Sequence, residues 1–347
     1  MPRQKRAFSS KSRHFSPLLE SIAYIALMKK ERALIWLRRD LRLEDHALLA
    51  SAESDRLECV LAFIFDEKIL GILGKNDRRI GFFHSALEEI SEELEQRGSR
   101  LVVRVGNPVK EIPRLAKMLG VSVVLAGRDY ESYSQKRDKE VAKELGPIRF
   151  ESKKDQVIFE GGEILNGSGG PYKVFTAYKN AWLKQLKVGD YDKKGTRMPK
   201  LLPASELGSI SSHRWDLKTL GFAKQPLWLE PGEKAAKKRL SSFSKKISNY
   251  KKTRDFPTAE GTSGLSAHLR FGTISIRACL REALLHKGEG SATWISELIW
   301  RDFYHTVLDQ FPQVARGEAF RSEYNKLDWP GTEQHFLPGA KDAPVTH

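Results

Sequence analysis

Two stretches of this chain combine residue types and spacings that can do chemistry. The first, Tyr250 to Ser275, reads YKKTRDFPTAEGTSGLSAHLRFGTIS. Within it Gly261, Thr262, Ser263, Gly264, Leu265 and Ser266 place hydroxyls and glycines just ahead of a helical start, where free backbone N–H groups and the positive end of a helix suit phosphate. Such a loop can cradle a pyrophosphate, and an ordinary Ser/Thr helix cap carries the same signature. The second stretch is the helix predicted after Ser291, which contains WISELIWRDFY from Trp294 to Tyr304. At helical spacing Trp294, Glu297, Arg301 and Tyr304 share one face, with Trp300 on its flank. Two indoles and a carboxylate thus occupy one surface; a core-facing aromatic stripe with a Glu297–Arg301 i,i+4 pair has the same pattern.

Those groups need elements to hold them. From Ala33 to about Phe159, β-rich runs at Ala33–Leu37, Cys59–Phe65, Leu101–Val105 and Val121–Ala126 alternate with helical patterns, which predicts a doubly wound α/β domain with a parallel sheet. Ile80, Phe83, Leu87, Ile90 and Leu94 recur at helical intervals and Gly98 supplies a stop, so this segment is one crossover helix. Asn107–Gly120 and Tyr133–Gly146 are two more. No GxGxxG follows the first strand, where the turn is WLRRDLR, and this argues against a nicotinamide dehydrogenase. Residues 161–230, rich in Gly, Pro and Ser, read as a surface connector with one helix near Phe175 to Leu186. Beyond them only helices are expected, at Glu233–Lys252, Ser275–His286 and Ser291–Phe311, giving an all-helical region over 231–336.

At 347 residues the chain exceeds the roughly 250 to 300 at which one hydrophobic core stops growing, so two domains are expected. A formal charge of +15 favours polyanionic partners. Setting aside residues 1 to 27, Lys and Arg still outnumber Asp and Glu by 54 to 43, so the body itself is basic. No apolar run approaches the roughly 18 to 20 residues of a membrane span. Cys59 and Cys279 fit neither a metal knuckle nor a disulfide framework, so no metal is expected and a reducing cytoplasm is. Residues 1–30, with Arg3, Lys5, Arg6, Lys11 and Arg13, lack a cleavage pattern and read as an over-long start or a disordered arm.

The motifs together resemble the photolyase/cryptochrome family. WLRRDLRLED from Trp36 to Asp45 is similar to the family's W-x-R-x-D-L-R-x-x-D opening, and Tyr172-Lys173-Val174-Phe175-Thr176 with Lys179-Asn180-Ala181-Trp182 resembles its linker motif. Arg254-Asp255, Thr262 to Ser266 and Glu297 to Tyr304 complete five ordered motifs. The resemblance implies an antenna α/β domain over 31–160 and a helical domain that holds FAD. It implies flavin contacts from Tyr250, Thr262, Ser263, Gly264, Leu265, Ser266, Trp294, Glu297, Arg301 and Tyr304. It further implies that Arg254 meets DNA, while Glu297 and Trp300 face an everted pyrimidine dimer and serve its light-driven splitting as a carbon–carbon lyase. A cryptochrome-type photoreceptor without repair, and a non-catalytic remnant, are the rival readings. Damaged DNA is the implied partner, for a monomer with no obligate protein partner and no membrane attachment.

Two departures modify these expectations. Where folate-using relatives carry an Asn-Glu pair beyond a Tyr-Glu, this chain has Tyr133-Ser134 after Tyr130-Glu131, which leaves the antenna open between methenyltetrahydrofolate, a flavin-type molecule and none. After Trp329-Pro330-Gly331-Thr332 the family continues into AWxxGxTGYP, whereas this chain ends LPGAKDAPVTH. One set of codons for that tail, read from the third base of its first codon, spells AWCQGRTGYP. A frameshift after about Phe336, real or a sequencing error, is therefore expected to make 337–347 an aberrant tail. An incomplete flavin pocket, weak FAD retention and solvent-facing Trp294 and Trp300 would follow.

Overall fold

The computed structural model describes residues 31–327 apart from 196, 209 and 211. The expectations for 1–30 and 337–347 lie outside the described residues. In chain order the elements that matter are β1 (Arg32–Leu37), α1 (Ala47–Ser54), β2 (Glu58–Asp66), α2 (Arg78–Gln96), β3 (Val102–Gly106), α3 (Pro108–Leu119), β4 (Val123–Gly127), α4 (Ser132–Glu144) and β5 (Arg149–Lys153). After them come α5 (Phe175–Gln185), β6 (Lys200–Leu201), α6 (Glu233–Ser244), α7 (Tyr250–Thr253), α8 (Ser266–Phe271), α9 (Ile276–Leu284) and α10 (Glu289–Gln310).

The first five strands form a parallel sheet in the order β3-β2-β1-β4-β5, as the alternating pattern predicts. Its central strands are apolar between their charged ends because helices cover both faces. Ala33, Ile35, Leu37, Leu61, Phe63 and Phe65 enter one core layer with Leu87, Ile90 and Leu94 of α2. Leu34, Trp36, Val60, Ala62 and Ile64 enter the other with Ile112, Leu115 and Leu119 of α3. Helix ends follow local chemistry: the Asn107 side chain accepts from Val109 N–H, Pro108 opens α3, and Gly120 at φ +62° closes it.

Three features differ from the expectation. β5, RFESK, is an edge strand whose charges hid it from a hydrophobic reading. The connector is not confined to the surface: β6 pairs with the start of β2, and Leu202, Leu207 and Ile210 are buried in the sheet's core. Beside them His213 N–H donates to Val103 O at 2.9 Å and Val105 N–H donates to His213 Nδ1 at 3.0 Å, covering the β3 edge. Finally, the single helix expected over Glu233–Lys252 breaks after Ser244 into a 3₁₀ turn at Ile247–Asn249 and then α7. The carbonyls of Ile247 and Ser248 face Gly290 so closely that a Cβ there would collide with them, so the break seats the start of α10.

The helical part has its own core, which includes Ile158, Phe159, Tyr178, Trp182, Phe243, Trp294 and Phe303. Buried charge joins it to the α/β part. Arg42 and Arg277 both bond the Asp155 carboxylate, at 2.7 and 2.8 Å, and Arg277 and Arg281 bond Asp45 at 2.9 and 2.7 Å. Asp45 itself sits at φ +50°, a strained conformation for a non-glycine residue. Burial raises the cost of charge on Asp155, but Arg42 and Arg277 outweigh it and hold the carboxyl well below the usual range. Among the described residues no helix is long and apolar enough to cross a membrane.

Removing one partner from this network leaves buried charge uncompensated. Asp155→Ala is expected to cost about 3 to 5 kcal/mol in urea denaturation at pH 7. Because the folded pKa is depressed, the stabilisation is present above about pH 4 and drains as pH falls toward the folded value. A loss under about 1 kcal/mol would refute the role given to the seam.

Candidate functional site

The hydroxyl-bearing loop lies against α6. Thr262 and Ser263 line a cavity of about 290 Å³ together with Lys238, Arg239, Ser242, Phe243, Lys246, Ala235 and Glu230. Three cations and several hydroxyls form a donor set suited to phosphate, with the Glu230 carboxylate the one opposing charge in the lining among the described residues. The volume lies at the small end of ligand pockets. Gly264, at φ +61°, has the Arg239 guanidinium pressed against the space a Cβ would fill. Leu265 is buried in the helical core, and Ser266 begins α8 and faces a different cavity. The cations of α6 were not singled out from sequence, because on a helix they look like an ordinary solvated face.

The remaining expected residues fall into four groups on or beside α10. Glu297, one third exposed, is ion-paired with Arg254, which also packs over the Tyr250 ring at 5.5 Å. Burial and the Glu297 charge push the Tyr250 hydroxyl up, and the bond to Glu297 raises Arg254. Trp294 is 2% exposed and packs on Phe243 at 4.8 Å, which corrects the expectation that it faces solvent. Trp300 stacks face to face on Phe175 at 3.5 Å and against Tyr304 at 5.3 Å, and Tyr304 is 58% exposed. Arg301 points elsewhere: it donates to His305 Nε2 and to Leu269 O, and not to Glu297 as an i,i+4 pair would. Burial lowers Arg301 to about 10, and burial beside that guanidinium pulls His305 down to about 2, so the imidazole is neutral and accepts.

The loop and the helix meet in one core, which Leu265 enters together with Trp294, Leu298 and Ile299. Phe243 links them: it forms part of the cavity wall and touches both Trp294 and Tyr250. α7 also intervenes, because Gly261 is packed against Thr253 with no room for a side chain. α10 is fixed in place by Asp302, which the motif contained but sequence reading assigned no task. Its Oδ2 accepts from Ile158 N–H, Phe159 N–H and the Trp182 indole, each at 3.0 Å. Asp302 Oδ1 has no partner among the described residues, and burial pushes the carboxyl up to about 6.

A second cavity, of about 500 Å³, opens at the carboxyl ends of β1 and β2, beside the point where the strand order reverses between β1 and β4. Ligands of open α/β sheets bind in this region. Phe63, Phe65, Phe83 and Phe271 give it an aromatic wall with ring centroids 5.0 to 6.0 Å apart. Arg39, Asp129, Arg137 and Ser134 give it a polar end. Burial opposes charge on Asp129, but Arg39 and Arg38 hold it down to about 2. Ser266, Ala267 and Arg270 of α8 also line this cavity, so one short helix lies between it and the Thr262–Ser263 loop.

Residues 33–203 match the family model described as DNA photolyase. A deoxyribodipyrimidine photo-lyase of Synechococcus sp. is 35% identical over 319 residues, which cover 87% of this chain and 65% of that protein. One of Halobacterium salinarum is 31% identical, covering 90% of this chain and 69% of its own length. The photolyase from Sulfolobus tokodaii, solved with two FAD molecules, superposes with a TM-score of 0.71 at 26% identity, over 88% of this chain and 66% of that one.

The raised Asp302 pKa has a signed consequence. Between about pH 4 and 6 the unfolded chain releases this proton before the folded one, so Asp302 lowers stability as pH rises across that window and adds no slope above it. Asp302→Asn is expected to flatten the slope of unfolding free energy over that range. An identical slope in both proteins would exclude the assignment.

Proposed function

The chain belongs to the DNA photolyase family, and on that premise we propose that it splits cyclobutane pyrimidine dimers in DNA with light, using reduced FAD held by its helical part. The observation that carries this reading is the shared wall at Phe243. One side of the assembly is a cation- and hydroxyl-lined cavity fit for a diphosphate, and the same ring packs on Trp294 of the helix that presents Glu297 and Trp300. The donor set fits the phosphates through Thr262, Ser263, Lys238 and Arg239, while Tyr250, Trp294, Arg301 and Tyr304 belong to the surrounding helices.

A duplex hides the lesion, so the dimer must be everted, which costs least where damage has already weakened pairing and stacking. The Phe175–Trp300–Tyr304 ladder offers an aromatic face on which the everted bases recover stacking energy. Glu297 would exchange Arg254 for a base N–H, and the released Arg254 would turn to the DNA phosphates. When bound and reduced, FAD supplies the photoexcited electron; the chain supplies distance, orientation and exclusion of water. We assign the antenna chromophore to the aromatic cavity at the ends of β1 and β2, and a flavin-type molecule to it. Asp66 in its lining accepts from the Tyr133 hydroxyl at 2.7 Å, and no Asn-Glu pair stands ready for a folate.

Glu297→Gln is expected to lower dimer loss per bound flavin by about tenfold or more, the loss of one charge-assisted hydrogen bond. The measurement is the removal of dimers from an irradiated oligonucleotide under blue light. Retained flavin without light-dependent dimer loss in the unmodified chain would instead assign a photoreceptor.

A further inference from the structure

Arg239 differs from the other cations of the helical part in what lies beneath it. A Cβ built on Gly264 would come 2.5 Å from Arg239 Nη1, 3.3 Å from its Cζ and 3.5 Å from its Cδ. Glycine at 264 thus leaves the room in which the guanidinium lies along the hydroxyl loop. Neither Arg239 nor Lys238 is paired with a carboxylate among the described residues. Lys246 donates to Glu260 O at 2.6 Å, and Glu230 is the single carboxylate in the cavity lining among the described residues. His268, nearby, is fully buried with Nε2 unpartnered among the described residues, and burial together with Arg239 lowers it to about 4. A neutral imidazole gives Arg239 no countercharge.

We infer that Arg239 is the residue that selects a diphosphate-bearing dinucleotide over its unphosphorylated parent, and that Gly264 is required to give its guanidinium fork access to the phosphate. The inference rests on the assignment of this cavity to FAD. An arginine presents two parallel donors to a phosphate, which a lysine does not, so the site distinguishes the two cations as well as the two ligands. Arg239 is half-buried and leaves no core behind when removed, so its variants are expected to fold.

The test is calorimetric titration of the full chain with FAD, riboflavin and inorganic pyrophosphate, with circular dichroism melting as the folding control. Arg239→Ala is expected to weaken FAD and pyrophosphate by about tenfold to a hundredfold and leave riboflavin unchanged. Arg239→Lys falls between. Gly264→Ala weakens FAD in the unmodified chain and adds nothing further in the Arg239→Ala background. Unchanged FAD affinity in Arg239→Ala overturns the inference while the FAD assignment stands, and so does a fall for riboflavin equal to that for FAD. Arg239-dependent pyrophosphate binding without FAD binding keeps Arg239 as an anion ligand and sinks the flavin assignment. Absence of binding by every probe sinks both.

Discussion

The arrangement of the described residues depends on four charged side chains taken out of water together, with a fifth at their rim. Arg42, Asp45, Asp155 and Arg277 are each at most 5% exposed, and Arg281 closes the set from the rim. Isolated, each of the buried four would pay a desolvation penalty of several kcal/mol, and only mutual pairing with good geometry offsets it. That condition is met in one relative placement of β1, the loop before Ile158 and α9. The network therefore selects a docking geometry more than it adds stability. Gly272 sharpens the same constraint: at φ +68° it lies so close to the carbonyl of Arg39 that any side chain would force the two parts apart.

This changes the meaning of the motif that opens the chain. WLRRDLRLED lies at the carboxyl end of the central strand, where open α/β sheets usually bind ligands. Trp36, Leu37, Arg38 and Arg39 do line the aromatic cavity there. The rest of the motif is committed to architecture: Leu41 N–H donates to Phe271 O, Arg42 to Gly272 O and Asp155, and His46 Nε2 contacts Asp40 O. A sequence signature used to recognise a function is here mostly the signature of a joint.

Elements whose cause is local were legible in the sequence. The central strands are continuous apolar runs, and α2 and α3 carry both periodicity and caps, so their bounds fell within a few residues. Elements whose cause is distant were not. β6 exists because Glu58 and Cys59 offer it an edge, and the break before α7 exists because Gly290 packs against it. The site divides the same way. Thr262 and Ser263 declare themselves by type and spacing, whereas Lys238, Arg239 and Lys246 gain their interest only once α6 is laid beside that loop. The helical face with Trp294, Glu297, Arg301 and Tyr304 is real as a face, but its members turn to different partners: a core ring, an arginine, a histidine and a stacked indole.

The segment around His213 has a consequence for how copies of this chain meet. A parallel sheet ends in two rows of free amides and carbonyls, each a template for another strand. On one margin His213 occupies that template with its own backbone and ring. On the other, β5 presents Arg149, Glu151 and Lys153 within five residues. A neighbouring molecule seeking to extend the sheet would have to displace the first or bury the second, so growth into ribbons or fibrils through this sheet is blocked at both ends by features that serve no chemistry at all.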